Sequence, residues 1–181
     1  MNIDDHRANC NYSKLIWCKR LLWVIVQPFF RFNPFFQGQG LFFNWRNFLL
    51  RLFGAKIGKN VRIHSKAEIY FPWNITIENN VTISWNVILY SLGNIVIKEG
   101  CMISQYCHLC AGTHDYNKSN FPLIFQDITV GKKVWIATDS YIAPGVTIGE
   151  NSIIGARSSV YQDVGAGLII GGNPAKTIKK R

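Results

Sequence analysis

The stretch VWIATDSYIAPGVTIGENSIIGARSSVYQDV, residues 134–164, places an aliphatic side chain at every sixth position: Ile136, Ile142, Ile148, Ile154 and Val160. An amphipathic helix asks for spacings of three and four, and a half-buried strand for two. A strict six over this length needs a different geometry. The same spacing runs upstream through Ile57, Ile63 and Ile69, through Ile77, Ile83 and Leu89, and through Ile97, Ile103 and Leu109, then resumes at Val130. The register slips by two residues at Ile75-Thr76 and at Ile95-Val96. Each unbroken early run is three hexads long, which reads as three short strands per turn of a triangular coil, with the slips as two-residue bulges at a corner.

A second regularity points the same way. The fifth position of most hexads is small or compact: Val61, Ala67, Val81, Val87, Cys101, Cys107, Thr113, Val134, Ser140, Val146, Ser152, Ser158 and Val164. Glycine often follows the aliphatic residue, as at Gly58, Gly131, Gly149 and Gly155. A chain that turns every six residues has little room inside and needs tight backbone. Hexapeptide repeats are a signature of a parallel β-helix, in which each coil touches its neighbours. A β-sandwich would show period-two alternation with irregular turns instead.

The 181 residues suit one domain with a terminal extension. The reading is an all-β parallel β-helix over 57–165 with a loop inserted at 115–129, an aromatic and basic N-terminal extension at 1–56, and a C-terminal tail at 166–181. Two segments of the extension, YSKLIWCKRLLWVIV and NWRNFLLRLFG, carry apolar residues at helical spacing; Pro28 and Pro34 punctuate between them, and Gly54 ends the second. The net charge is +10, of which residues 1–56 carry eight basic and two acidic side chains. The five cysteines, Cys10, Cys18, Cys101, Cys107 and Cys110, are an odd number behind a polar start (MNIDDHRANCNY), which predicts reduced thiols and a cytoplasmic protein. Cys107 and Cys110 form a lone C-x-x-C, short of the four ligands of a structural zinc, so interior packing is expected and no metal. The LLWVIVQPFF run is about half the ~20 residues of a membrane span. Its aromatics are expected to cap the open edge of the first coil, and peripheral membrane contact is not favoured.

Of four histidines, His6 lies in a polar terminus, while His64 and His108 follow regular hexad positions and are expected on a solvated face. His114 stands where the ladder opens into a long loop, and loops of that length are often functional. Its neighbour Asp115 is a poor partner, since adjacent side chains of extended backbone point opposite ways; a carboxylate or carbonyl from elsewhere is expected to orient the ring. Ser104, Ser140, Ser152 and Ser158 sit in ordinary hexad positions, and there is no Gly-x-Ser-x-Gly elbow. No serine nucleophile is indicated, and His114 is the candidate base.

Together GTHDY, VWIATDSYIAPGVTIGENSIIGARSSV and GGNPAKTIKKR resemble the hexapeptide-repeat acyltransferases, closest to the sugar O-acetyltransferases. FLLRLFGAKIGKNVRI and HDYNKSNFPLI favour the subgroup of colanic acid and exopolysaccharide gene clusters. The resemblance covers roughly residues 45–181. It implies a left-handed coil, against the usual right-handed crossover, a homotrimer with sites between subunits, and acetyl-CoA as donor. It carries the catalytic role to His114, and implies acyl transfer by direct attack with a histidine base, the oxyanion held by backbone N–H groups near Ala137-Thr138. Donor contacts fall on Thr138, Ala156, Tyr161, Gln162, Lys176 and Lys179, where Tyr161-Gln162 departs from a threonine-lysine pair and the two lysines stand for arginines. An acceptor-binding asparagine aligns with Ser84, with Asn86 two positions on. A non-catalytic polyanion-binding or scaffold β-helix is the competing reading, but the aromatics crowd residues 17–53 without a nucleic-acid motif, so no nucleic acid is expected. A carbonic anhydrase on the same coil lacks its third histidine.

Overall fold

A computed structural model describes residues 14–32 and 41–181; His6, Cys10 and Pro34 lie outside the described residues. The chain forms a left-handed parallel β-helix preceded by two helices. Three sheets make the faces of a triangular prism. The first stacks Lys56–Ile57, Ile75–Ile77, Ile95–Ile97, Ile128–Val130 and Thr147–Ile148. The second stacks Arg62–Ile63, Thr82–Ile83, Met102–Ile103, Trp135–Ile136 and Ile153–Ile154, and the third Glu68–Ile69, Ile88–Tyr90, His108–Cys110, Tyr141–Ile142 and Ser159–Val160. Each hexad is one strand and one corner. The aliphatic residue points inward, so Ile63, Ile83, Ile103, Ile136 and Ile154 form a buried column down the second face. The compact positions are buried too, from Val61 through Val81, Cys101 and Val134 to Ser152.

The two-residue slips lengthen one corner. Ile75 and Ile77 are both buried, as are Ile95 and Ile97, so each slip adds a strand residue behind a wider turn, the first of which is the short 3-10 helix Pro72–Asn74. Several corners require a positive φ, and asparagine, which tolerates that region better than most residues, supplies it at Asn60, Asn80, Asn86 and Asn151. The ladder breaks at Ala111 rather than beyond Thr113: Thr113 is exposed, so it is not a compact interior residue. The excursion ends by Asp127, because Ile128 is already buried and paired with Ile95.

The N-terminal helices are α1 (Lys14–Arg31) and α2 (Leu41–Leu52). Pro28 does not end α1; it sits inside it. Proline forfeits one helical bond, but Phe30 beyond it is buried against the first coil and Trp45 Nε1 donates to the Phe29 carbonyl at 3.0 Å. Tertiary contacts carry the helix past its breaker. Helix α2 stops at Leu52, and Gly54 takes φ +96 two residues on.

These helices solve a problem set by the open end of the stack. The carbonyls of Ile77, Val81, Ile83 and Leu89 accept backbone N–H groups from the coil before them. Their first-coil counterparts, Ile57, Val61, Ile63 and Ile69, have no preceding coil to supply donors. Side chains supply them: Arg51 to Ile57, Asn47 to Val61 at 2.8 Å, Arg46 Nε to Ile63 at 2.7 Å and Trp23 Nε1 to Ile69 at 2.7 Å. Trp23, Phe30, Leu49 and Leu50 fill the space between helices and coil. The expected capping of the open edge is observed in these residues. Burial lowers the Arg46 guanidinium to about 10, and its charge rests over the Phe43 ring.

The tail continues the second face. Leu168–Gly171 pairs in parallel with Ile153–Ile154, and Lys176–Lys180 returns antiparallel to it. Two substitutions separate the terms at the N-terminal cap. Trp23→Phe keeps most of the volume and removes the donor to Ile69, and should cost about 1–3 kcal/mol in denaturant unfolding. Trp23→Ala should cost about 3–5 kcal/mol. Equal losses in the two would show that the hydrogen bond contributes the whole effect and the packing none.

Candidate active site

Gly112–His114 leaves the prism at the edge between the third and first faces and pairs antiparallel with Leu123–Phe125, making a two-stranded arm. Its base is clamped. Asn94 N–H donates to Asp127 Oδ1 at 2.7 Å, the Asn94 amide reaches both Asp127 oxygens, and Ile128 N–H donates to the Asn94 carbonyl. Gly112 passes so close to Leu92 that a Cβ would stand 2.6 Å from its Cδ1. A larger residue there would require the Leu92 side chain to shift.

His114 is exposed at the outer end of the paired strands, opposite Leu123 and next to the turn, with Nδ1 2.5 Å from the Phe121 carbonyl oxygen. A carbonyl only accepts, so the contact makes Nδ1 the protonated nitrogen and Nε2 the basic one. The expected orienting carbonyl is thus Phe121, a residue that takes φ +43 at the turn. Asp115 is occupied elsewhere: its Oδ1 accepts from Asn117 N–H and its Oδ2 lies 3.7 Å from Lys118 Nζ. Sequence reasoning missed Phe121, Asn94 and Asp127. A backbone carbonyl has no side-chain signature, and the clamp joins residues 33 positions apart.

The donor and acceptor candidates divide between two edges. Tyr161 and Gln162 lie on the same edge as the arm, two coils on, and with Lys176, Pro174 and Asp163 they line a cavity of about 430 Å³ against the C-terminal hairpin. Lys179 is exposed on the same final strand but does not line it. Ser84, Asn86, Thr138 and Ala156 lie on the edge between the second and third faces, with Ser84 and Asn86 two levels before Thr138 and Ala156 one level after it. Thr138 Oγ1 donates to the Gln105 carbonyl at 3.0 Å, and its own carbonyl accepts from Arg157 N–H. Ala137 N–H donates to the Ile154 carbonyl at 2.9 Å. It is spent on the ladder and is not an oxyanion donor.

His64 and His108 are not on a solvated face. Burial, then Arg46 and Lys66, lowers the His64 pKa; its Nδ1 accepts from Lys66 N–H beneath the Trp85 ring. His108 is half-buried between the Tyr90 and Tyr141 rings, its Nε2 fully enclosed, and burial lowers its pKa as well. Cys101 and Cys107 are buried as expected, and burial raises both thiols to about 11, so they stay protonated and inert. No group of three or more metal-ligating side chains occurs among the described residues.

Residues 127–162 match the bacterial transferase hexapeptide (six repeats) family. Over 162 residues the chain is 42% identical to the colanic acid biosynthesis acetyltransferase WcaF of Escherichia coli (strain K12), spanning 90% of this chain and 86% of that one. It is 28% identical to the galactoside O-acetyltransferase of the same organism over 75% of its own length and 68% of the relative's. Its fold superposes with a TM-score of 0.81, at 24% identity, on a hexapeptide-repeat acetyltransferase of Vibrio cholerae O1 biovar eltor solved with acetyl coenzyme A, covering 93% of this chain and 90% of the other. The chain belongs to the hexapeptide-repeat acetyltransferases, enzymes of the acyltransferase class.

The lowered histidines give a pH test of the coil. A histidine whose folded pKa is depressed binds its proton first in the unfolded chain, so unfolding takes up protons and stability rises with pH through the window below the ordinary value of about 6.5. Thermal melts should show the melting temperature falling as pH drops below that value. His108→Phe should flatten the dependence. A melting temperature independent of pH between about 5 and 7 would contradict the burial of both rings.

Proposed function

We propose that the protein transfers an acetyl group from acetyl-CoA to a hydroxyl of a sugar in surface or exopolysaccharide biosynthesis, with His114 as general base. The observation that carries the reading is the His114 ring, exposed on a clamped arm and held through Nδ1 by the Phe121 carbonyl. The names of the two Escherichia coli relatives support the acceptor class. Nε2 takes the proton of the attacking hydroxyl as its oxygen bonds to the thioester carbon. The tetrahedral oxyanion collapses, the C–S bond breaks, and the imidazolium returns the proton to the thiolate of CoA. No acyl-enzyme intervenes. Tyr161, Gln162 and Lys176, gathered in one cavity, are assigned to the donor with Lys179, Thr138 and Ala156, and Ser84 and Asn86 to the acceptor. CoA carries a pyrophosphate and a 3′-phosphate, for which exposed lysines are suited. Acetyl-CoA is drawn from the cytoplasm, which places the reaction on that side.

The division of these residues between two edges supports a homotrimer. One copy cannot bring the Thr138 edge to His114, but the arm edge of one copy can face the other edge of its neighbour. The arm also exposes Tyr116, Phe121, Ile124 and Phe125, apolar surface that a neighbour would cover.

General-base catalysis contributes about 10²–10⁴-fold, so His114→Ala should lower kcat by that order with acetyl-CoA and a sugar acceptor, while sedimentation shows an unchanged assembly. A well-assembled variant with near-normal turnover would remove His114 as the base. Lys176→Ala should raise KM for acetyl-CoA with less effect on kcat, because contacts distant from the reacting carbon bind ground and transition states alike. An unchanged KM would detach the cavity from the donor.

A further inference from the structure

Helix α1 is apolar on two opposite faces. Trp23 and Phe30 face the coil. On the other side Trp17, Leu21, Leu22, Ile25 and Phe29 are each more than half exposed. A helix that is hydrophobic all round belongs in a core or in lipid. At 3.6 residues per turn, Lys19, Arg20 and Arg31 fall on the flanks between the two faces, while Lys14 falls in line with the exposed face one turn before Trp17. Helix α2 extends the same surface with Trp45 and Phe48, stacked at 6.0 Å, and Leu52. Between the helices Phe29, Phe32, Phe42 and Trp45 line a cleft of about 440 Å³ walled entirely by aromatic rings.

Charge selects the occupant. Helices α1 and α2 hold six lysines and arginines and no acidic residue; Arg46 is buried and Arg31 lies 3.6 Å from Glu68 of the first coil, which leaves the helical face net positive. Two such surfaces would repel face to face, whereas an anionic lipid surface attracts them. Helix α1 is about 27 Å long at 1.5 Å per residue, and no described helix is long and apolar enough to cross a membrane. We propose that the outer face of the two N-terminal helices docks the protein on an anionic membrane interface, with α1 lying in its plane, the exposed tryptophans and phenylalanines entering the headgroup boundary, and the flanking basic residues meeting lipid phosphates. This surface is separate from the residues assigned to acyl transfer.

The test is flotation of the full-length protein with vesicles of phosphatidylcholine alone and of phosphatidylcholine mixed with phosphatidylglycerol. The protein should float with the anionic vesicles at low salt and be depleted from the floating fraction at high salt. The double variant Leu21→Asp, Ile25→Asp should stay at the bottom, with its sedimentation coefficient and thermal melt unchanged, since both side chains point away from the coil. Wild-type protein remaining at the bottom with anionic vesicles overturns the proposal. So does a double variant that floats as before, or one whose assembly state changes while flotation does not, which would make the face a contact between copies.

Discussion

The hydrogen bonds between coils are the constraint on which the structure depends. Strands of two or three residues have no stability of their own; each is held by backbone bonds to its neighbours, with N–H groups donating one coil on, as from Arg62 to Val81, and one coil back, as from Asn80 to Lys59. The stack therefore ends in unpaired backbone groups. At the N-terminal end the carbonyls of Val61, Ile63 and Ile69, whose counterparts Val81, Ile83 and Leu89 accept from the preceding coil, take an amide, a guanidinium and an indole from Asn47, Arg46 and Trp23. At the C-terminal end a returning antiparallel strand supplies carbonyls and donors alike along Leu168–Gly171. Each cap answers the backbone groups that its end of the stack leaves open.

The same ladder dictates where chemistry can be built. A slip of one residue would turn an inward isoleucine outward along every later strand, so insertions must return the chain in register, and they do so at corners. Ile57, Ile77 and Ile97 stack in turn, and Val130 then stacks on Ile97 although the whole arm lies between them. The excursion can therefore be long while its two ends remain fixed on adjacent strands. That fixity reaches His114 through a short chain of contacts: Asn94 to Asp127 at the base, Gly112 against Leu92, and the Phe121 carbonyl on the ring. A side chain on a loop gains the precision of the scaffold beneath it.

Much of this was legible in the amino-acid sequence, and the reasons for the rest are specific. The hexad is visible because each strand contributes the same inward position, Ile136 like Ile154. The hand of the coil is not, since the spacing is identical in either hand. The sequence also placed His114 at the opening of the ladder, but the first arm residues, Gly112 and Thr113, read as one more hexad because threonine is compact wherever it lies. Pro28 read as a stop because helix propensity is local, whereas the contacts of Phe29 and Phe30 that override it come from α2 and the first coil. His108 read as solvated because an outward position on a strand usually is; here the tyrosines of neighbouring coils, Tyr90 and Tyr141, enclose it, and their proximity appears only when residues 18 and 33 positions away are brought together.

The two caps end differently toward the outside, and that difference is informative. A solenoid's terminal unit needs a polar outer surface to remain dissolved. The C-terminal hairpin meets this requirement, with Lys176, Lys179 and Lys180 exposed along its last strand. The N-terminal helices carry charge at their flanks and at the first residue, Lys14: donors and aromatics satisfy the coil on one side, and the opposite side carries Trp17, Leu21, Ile25 and Phe29 beyond that first lysine. Capping the ladder requires only the inner face. Nothing in the packing of the coil calls for the outer residues to be apolar, and Lys, Arg, Gln or Glu would preserve the helix at comparable propensity. An outer face that is apolar without a folding reason is a face selected for what lies beyond the fold.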